Sequence, residues 1–410
     1  MEQYKTVKRF KNPLISGGVS VILLLIIASV GWVVWSTIWK AIILAIGGET
    51  ITMLSAETQG HFMKEAVEGT FFWFIISPWV WFTLNLGNYG KNKKTLKQPQ
   101  AGIRYLLLAI LVGMLGFVLF VGMMGIWWEP FNWQVLLRPA SEEQALLAIK
   151  GWGALNFFTL SVILAQIPLV SLFEKYPFRK HTQDSWASAF GTLFLGLFLA
   201  LFNWIIFILP SFIPLQTGGQ AITGVPFDGW STAIAWCQLF IFFFLLPAEG
   251  MGGYPQKFFT TRQPWAGLIG LVIAISAALV ALPLLRTVLT PLAESVGIVP
   301  DIAVASFALT IINVLLTWHH HFDDYPSQTL ISSTFARNLV QLLIVLVIGT
   351  VLGILWIKTL HIWPFGGNDL GLGHPMLGIL GGQFVYMMPM LYMNTFFDKW
   401  PMAKSERVAE

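Results

Sequence analysis

Trp318-His319-His320-His321-Phe322-Asp323-Asp324-Tyr325-Pro326 closes a long apolar run, and its last five residues return elsewhere in the chain. Phe173-Glu174-Lys175-Tyr176-Pro177 and Phe397-Asp398-Lys399-Trp400-Pro401 repeat the order aromatic, acid, any residue, Tyr or Trp, Pro. Weaker copies stand at Gly253-Tyr254-Pro255 and Asn88-Tyr89-Gly90. The motif aromatics recur every 71 to 87 residues, and a fixed period of this kind marks an array of similar units. An interfacial Tyr or Trp followed by Pro would stop any membrane helix without further purpose. The recurring acid needs more explanation, because the last turn of a helix carries partial negative charge and favours cations.

Outward from the motif, composition defines the class. Of 410 residues, 56% are hydrophobic and 11% charged, and the mean hydropathy is +0.71. Charges concentrate between apolar runs of the length that crosses a hydrocarbon core of about 30 Å. Lipid cannot satisfy open backbone groups, and no alternating strand pattern appears, so the runs predict helices. The expected fold is an all-α polytopic membrane protein, one transmembrane domain over residues 1–410 with about ten spans. These are 14–35, 71–86, 105–127, 152–173, 187–209, 233–248, 266–285, 302–318, 339–357 and 376–397.

Nine or ten residues after each motif Tyr stands a helix-start residue, Pro99, Ser185, Pro264 or Thr334, with Ala101, Ala187, Ala266 or Ala336 two positions on. Such a small residue lets helices approach closely. The pattern implies tandem helical hairpins over 71–127, 152–209, 233–285 and 302–357, and a fifth in which 376–401 pairs with 4–35. Pairing across the chain ends would close the array and remove its raw edges. On the side of the motifs lie 18 of the 24 Lys and Arg, so both termini are expected in the cytoplasm of a cell or inner membrane. The basic balance gives no reason to invoke nucleic acid.

The HHHFDDYP stretch is the first candidate site. His319 with Asp323, and His320 with Asp324, stand four residues apart on a helix, a spacing that lets imidazole and carboxylate share a metal or a proton. His321 completes the run, and iron, zinc, manganese or copper are the cofactors these ligand types suit. An interfacial polar cluster is the plain alternative. The motif acids Glu174, Glu249 and Asp398 are expected at the same membrane level. A second candidate lies on the other side: Glu57, His61 and Glu65 at four-residue spacing on a short helix before the second span, with His361, Asp369 and His374 in the last outer loop. A solvated helix face would look the same. Met387, Met388, Met390 and Met393 are read as core packing.

No span as drawn contains Asp, Glu, Lys or Arg, which argues against a proton-coupled pump. Pro78, Pro168, Pro247 and Pro389 can kink four spans and free carbonyls, as transporters use them. No nucleotide-binding or hydrolase motif is present. Two functions follow: a permease or channel-like transporter of a small uncharged or amphiphilic solute, and a membrane-embedded metal-dependent enzyme or redox subunit with its site at the cytoplasmic interface. The lipid bilayer and a small molecule are the implied partners. The sequence is also compatible with self-association and with a structural subunit.

Overall fold

A computed structural model describes residues 4–88, 96–178, 185–210, 227, 229–359 and 378–407. Its long helices are α1 (Pro13–Gly47), α2 (Ala56–Asn85), α3 (Gln100–Met124), α4 (Glu142–Ser171), α5 (Trp186–Ile208), α6 (Trp230–Glu249), α7 (Trp265–Ser295), α8 (Pro300–His321), α9 (Thr334–Thr359) and α10 (Gly378–Thr395). Among the described residues, the first nine are long and apolar enough to cross a membrane. At about 1.5 Å per residue the 18 residues of α10 span roughly 27 Å. Two short strands, β1 (Tyr4–Lys8) and β2 (Ala403–Arg407), pair antiparallel.

The helices separate into two layers. In the most apolar window of α2, α4, α6 and α8, 67 to 94% of residues are buried inside the protein, against 22 to 28% for α1, α3, α5, α7 and α9. The inner helices, with α10, form a closed ring. Trp73 Nε1 donates to Leu155 O (3.0 Å) and Asn85 to Gln166 (3.1 Å), joining α2 to α4. α4 meets α6, and α6 packs along α8. Thr310 donates to Gln383 (3.1 Å) between α8 and α10. Tyr392 donates its hydroxyl to Ile75 O (2.8 Å) and Trp79 Nε1 donates to Thr395 (3.0 Å), bringing α10 back to α2. The acceptor Ile75 lies in a π-helical stretch beside Pro78. Pro has no N–H to give, and wide turns there present carbonyls to a neighbour.

The outer helices present Val30, Leu119, Phe198, Val280 and Val347 to the surroundings, the apolar coat a bilayer requires. Their inward faces carry small residues. A Cβ on Gly17 would sit 2.4 Å from the Phe322 ring, one on Gly102 2.2 Å from Phe397, and one on Gly267 2.4 Å from Phe173. Each motif Phe therefore rests on the first turns of an outer helix from another part of the chain. Of the expected close-contact alanines, Ala101 and Ala266 directly precede the glycines that meet the rings, and Ala266 is itself buried. Ala336 is exposed. A side chain leans toward the helix N-terminus, so facing a neighbour is decided by direction as well as by spacing.

The motif itself has a common backbone. Glu174 and Lys175 (φ 49° and 64°), Asp323 and Asp324 (51° and 54°), and Asp398 and Lys399 (48° and 62°) all occupy the left-handed region, and each pair is followed by an aromatic and a cis Pro. Gly252 and Gly253 (58° and 90°) take the same place before Tyr254-Pro255. This corrects the assignment of Glu249 as a motif acid: Gly252 occupies the acid's position, and Glu249 is the last residue of α6, three residues earlier.

The two ends of the chain meet on the face that carries the motifs. β1 lies on β2 with Lys5 opposite Glu406, and Arg9 N donates to Met402 O (2.9 Å). Helix α1 packs on α10. Opposed Cα atoms in an antiparallel pair lie about 4.5–5.5 Å apart, within disulfide reach. Cysteines replacing Lys5 and Glu406 should therefore crosslink within one molecule on mild oxidation, since the native Cys237 is buried. Crosslinked dimers instead of a faster-migrating monomer on denaturing gels would disprove intramolecular closure.

Candidate functional site

On the ring axis lies a cavity of about 470 Å³ to which all five inner helices contribute. Ile76 and Val80 of α2, Ile163 and Ile167 of α4, Gln238 and Ile241 of α6, Leu309 and Ile312 of α8, and Phe384 and Met388 of α10 line its body. From the motif-bearing ends of these helices it runs roughly 12–18 Å inward at 1.5 Å per residue. Farther along the helices Phe72 packs against the lining residue Phe384 (5.7 Å), and Trp73 stacks on Phe158 (5.3 Å) between α2 and α4.

Its walls are mainly apolar, with a few uncharged polar atoms. Gln238, 2% exposed, has a side-chain oxygen with no hydrogen-bond partner, and so do Gln256 and the hydroxyls of Thr83 and Ser171. Buried polar atoms are normally satisfied, so unpartnered ones along a chamber point to a ligand or water. Met387 and Met388 line the wall while Met390 and Met393 are buried.

The mouth is charged: Glu174, Glu249, Lys257 and His320 line it. Glu249 Oε2 lies 3.2 Å from His319 Nε2 and 3.9 Å from His320 Nε2. Behind the rings, His319 Nδ1 contacts both oxygens of Asp324 (2.9 and 3.0 Å), and His320 Nδ1 contacts the Asn394 side chain (3.0 Å). The Nε2 atom of His321 is directed to Met390 O (3.2 Å), and the side chain is buried against α10.

The four-residue pairings expected from helical spacing are replaced. His319 meets Asp324, five residues on, and Asp323 turns to Lys8 (2.7 Å) and Lys399 (2.9 Å). The cause is local: α8 ends at His321, and both acids follow with positive φ, so helical periodicity no longer places them. Burial works to raise the Asp323 carboxyl, but the lysine hydrogen bonds prevail and hold it below its usual range. Asp323 thereby joins the chain ends to the strong motif copy. Gln98 donates to Asp398 (3.0 Å), whereas Glu174 is exposed. Lys175, next to Glu174 in the same motif copy, donates to Asn85 O (3.3 Å), and burial lowers its ammonium below the usual range.

The other end of the ring also differs from expectation. Helix α2 begins at Ala56, fifteen residues before the expected span, capped by Ser55, which accepts from Thr58 N (3.3 Å). Glu57, His61 and Glu65 therefore belong to a continuous long helix. Glu65 is 1% and Glu68 0% exposed, so the helix that holds the second expected span carries buried acids ahead of the run 71–86. The interior face holds them: Asn156 donates to Glu65 (3.2 Å), and His61 Nε2 is 3.7 Å from its other oxygen. His361, Asp369 and His374 lie outside the described residues. Arg286 and Asp301 form a second charged pair within the long helices (2.6 and 2.9 Å), with Thr232 donating to the same carboxylate (2.7 Å).

The residues that sequence reasoning did not bring to this site are Glu249 beside the histidines, Asn394, and the chamber face centred on Gln238. Gln238 is an uncharged polar residue in an apolar run, and its direction toward the axis depends on the ring. Fold and site together define a polytopic helical membrane protein with an axial chamber lined by all five inner helices. A search of known protein families, curated proteins and solved structures finds no match to this chain.

Proposed function

We propose that the protein is a permease for a small uncharged or amphiphilic solute, which enters the axial chamber from the motif-bearing face. In this reading the chain is five copies of one helical hairpin closed into a ring, and positive residues keep both termini and the chamber mouth in the cytoplasm. The observation that carries it is the Gln238 side-chain oxygen, buried and unpartnered in a mainly apolar chamber. A cavity of this volume falls within the range of about 300–1,000 Å³ typical of small-molecule sites. A few fixed polar atoms on apolar walls orient an uncharged or amphiphilic molecule. Proline within α4, α6 and α10, and in the last third of α2, supplies places where the inner helices can bend.

The test uses purified protein and a panel of glycerol, urea, medium-chain primary alcohols and medium-chain fatty acids. Binding should raise the thermal midpoint by mass action, and the stabilising compounds should cross protein-containing liposomes faster than empty ones. Gln238→Leu should weaken binding by about tenfold, the loss of one hydrogen bond worth roughly 1.4 kcal/mol. Ile312→Trp, which fills the chamber, should abolish both binding and flux. Flux unchanged in Ile312→Trp, or no compound bound or moved, would refute the reading.

A second reading, a membrane-embedded metal-dependent enzyme, is favoured by the imidazoles and carboxylate at the mouth. There the chamber would hold a substrate that is converted in place.

A further inference from the structure

We propose that Glu249, His319 and His320 bind one divalent first-row transition-metal ion at the mouth of the axial chamber. This inference is independent of the permease reading and supplies the site on which the enzyme reading depends.

One ligand atom from each of the three residues can be chosen so that all lie within 4.8 Å of one another. The Glu249 oxygen is 3.2 Å from His319 Nε2 and 3.9 Å from His320 Nε2. Donors bound to one ion at about 2.0–2.2 Å stand roughly 3–3.6 Å apart, so closure requires only small side-chain movements. Two imidazoles and one carboxylate match zinc, iron(II), manganese or cobalt better than the hard-oxygen cages of calcium or magnesium.

The outer atoms strengthen the assignment. A metal-bound histidine normally uses its other nitrogen to bond a carboxylate or carbonyl, which fixes the ring and its tautomer. His319 Nδ1 has both Asp324 oxygens at 2.9 and 3.0 Å, and His320 Nδ1 has the Asn394 amide at 3.0 Å. As drawn, the amide nitrogen faces His320; exchanging its nitrogen and oxygen makes Asn394 the acceptor and leaves Nε2 a free lone pair, without moving a heavy atom. Asp324 keeps its place because it belongs to the left-handed pair after α8, and Asn394 because it ends α10.

Charge and access agree. Glu249 and Asp324 supply two negative charges beside the ion, while Asp323 is engaged by Lys8 and Lys399. The side chains of His319, Glu249 and His320 are 33, 24 and 16% exposed, so an ion can enter from solvent. Glu249 and His320 also line the chamber. Three protein ligands leave coordination positions free, as in sites that bind water or substrate. His321 takes no part, because it turns away to Met390 O.

The test is metal analysis of the full chain, purified in detergent through a tag without histidine, followed by chelator stripping and titration with Co²⁺ and Zn²⁺. Wild type should bind one equivalent per chain and give the visible d–d bands of a nitrogen- and oxygen-ligated cobalt ion. Affinity should fall at least 100-fold in His320→Ala and in Glu249→Gln. Asp324→Asn should lose about 10- to 100-fold, and His321→Ala should keep the full equivalent. Absence of Co²⁺ and Zn²⁺ binding by the monodisperse wild-type protein overturns the proposal, as does wild-type affinity in both His320→Ala and Glu249→Gln. No solute is needed for this readout, so its failure leaves the chamber's function untouched.

Discussion

Arg286→Ala is expected to lower stability by about 3 kcal/mol, one of the two largest single effects predicted for the chain. Asp301 is 6% exposed at the start of α8, and Arg286 of α7 grips both its oxygens at 2.6 and 2.9 Å while Thr232 of α6 donates at 2.7 Å. Removing the guanidinium leaves a buried carboxylate with one hydroxyl donor and the helix N-terminus as its remaining support. Breaking a buried pair costs about 3–5 kcal/mol, and the partly solvated Arg286 places this one at the lower end. Adding Asp301→Asn should recover most of the loss, because the stranded charge disappears with it. Unfolding in mixed detergent micelles measures both variants. A loss below about 0.5 kcal/mol for Arg286→Ala would mean that the pair behaves as an exposed one.

Gly113→Leu is the second large effect, and it acts through backbone. A Cβ there would sit 2.6 Å from Trp73 O, 2.8 Å from Phe74 Cα and 2.8 Å from Pro78 Cγ, in the irregular part of α2. Two of these atoms are main chain and cannot rotate aside, so α3 must be pushed off the ring. Overpacking typically costs about 1–3 kcal/mol, and a backbone obstacle puts this substitution at or above that limit. Gly18→Leu provides the control, since no atom lies within 4 Å of its added Cβ. Equal thermal midpoints for the two variants would show that α3 does not approach α2 as described.

These effects depend on neighbours remote in sequence, and the same division runs through what could be read in advance. The ends of several helices were legible to within a few residues, as at Pro99, Ser185, Pro264 and Thr334, because capping and proline geometry act on adjacent residues. The start of α2 was not. Glu57, Glu65 and Glu68 look like a solvated face when judged by composition, yet Glu65 and Glu68 are buried because α4 brings Asn156 to one of them.

At the histidines the boundary is sharp. The sequence by itself determined that this chain is a bundle of membrane helices and that HHHFDDYP ends one of them, because helix length, charge exclusion and proline act locally. It also placed imidazoles and acids together in one stretch. Tertiary structure alone chose their partners. The left-handed pair Asp323-Asp324 breaks helical spacing and sends Asp323 to Lys8 and Lys399. The packing of α6 along α8 brings Glu249, 70 residues away in sequence, within 3.2 Å of His319. Only ring closure turns Gln238 toward a common axis, since which face of an apolar helix looks inward is decided by the helices around it.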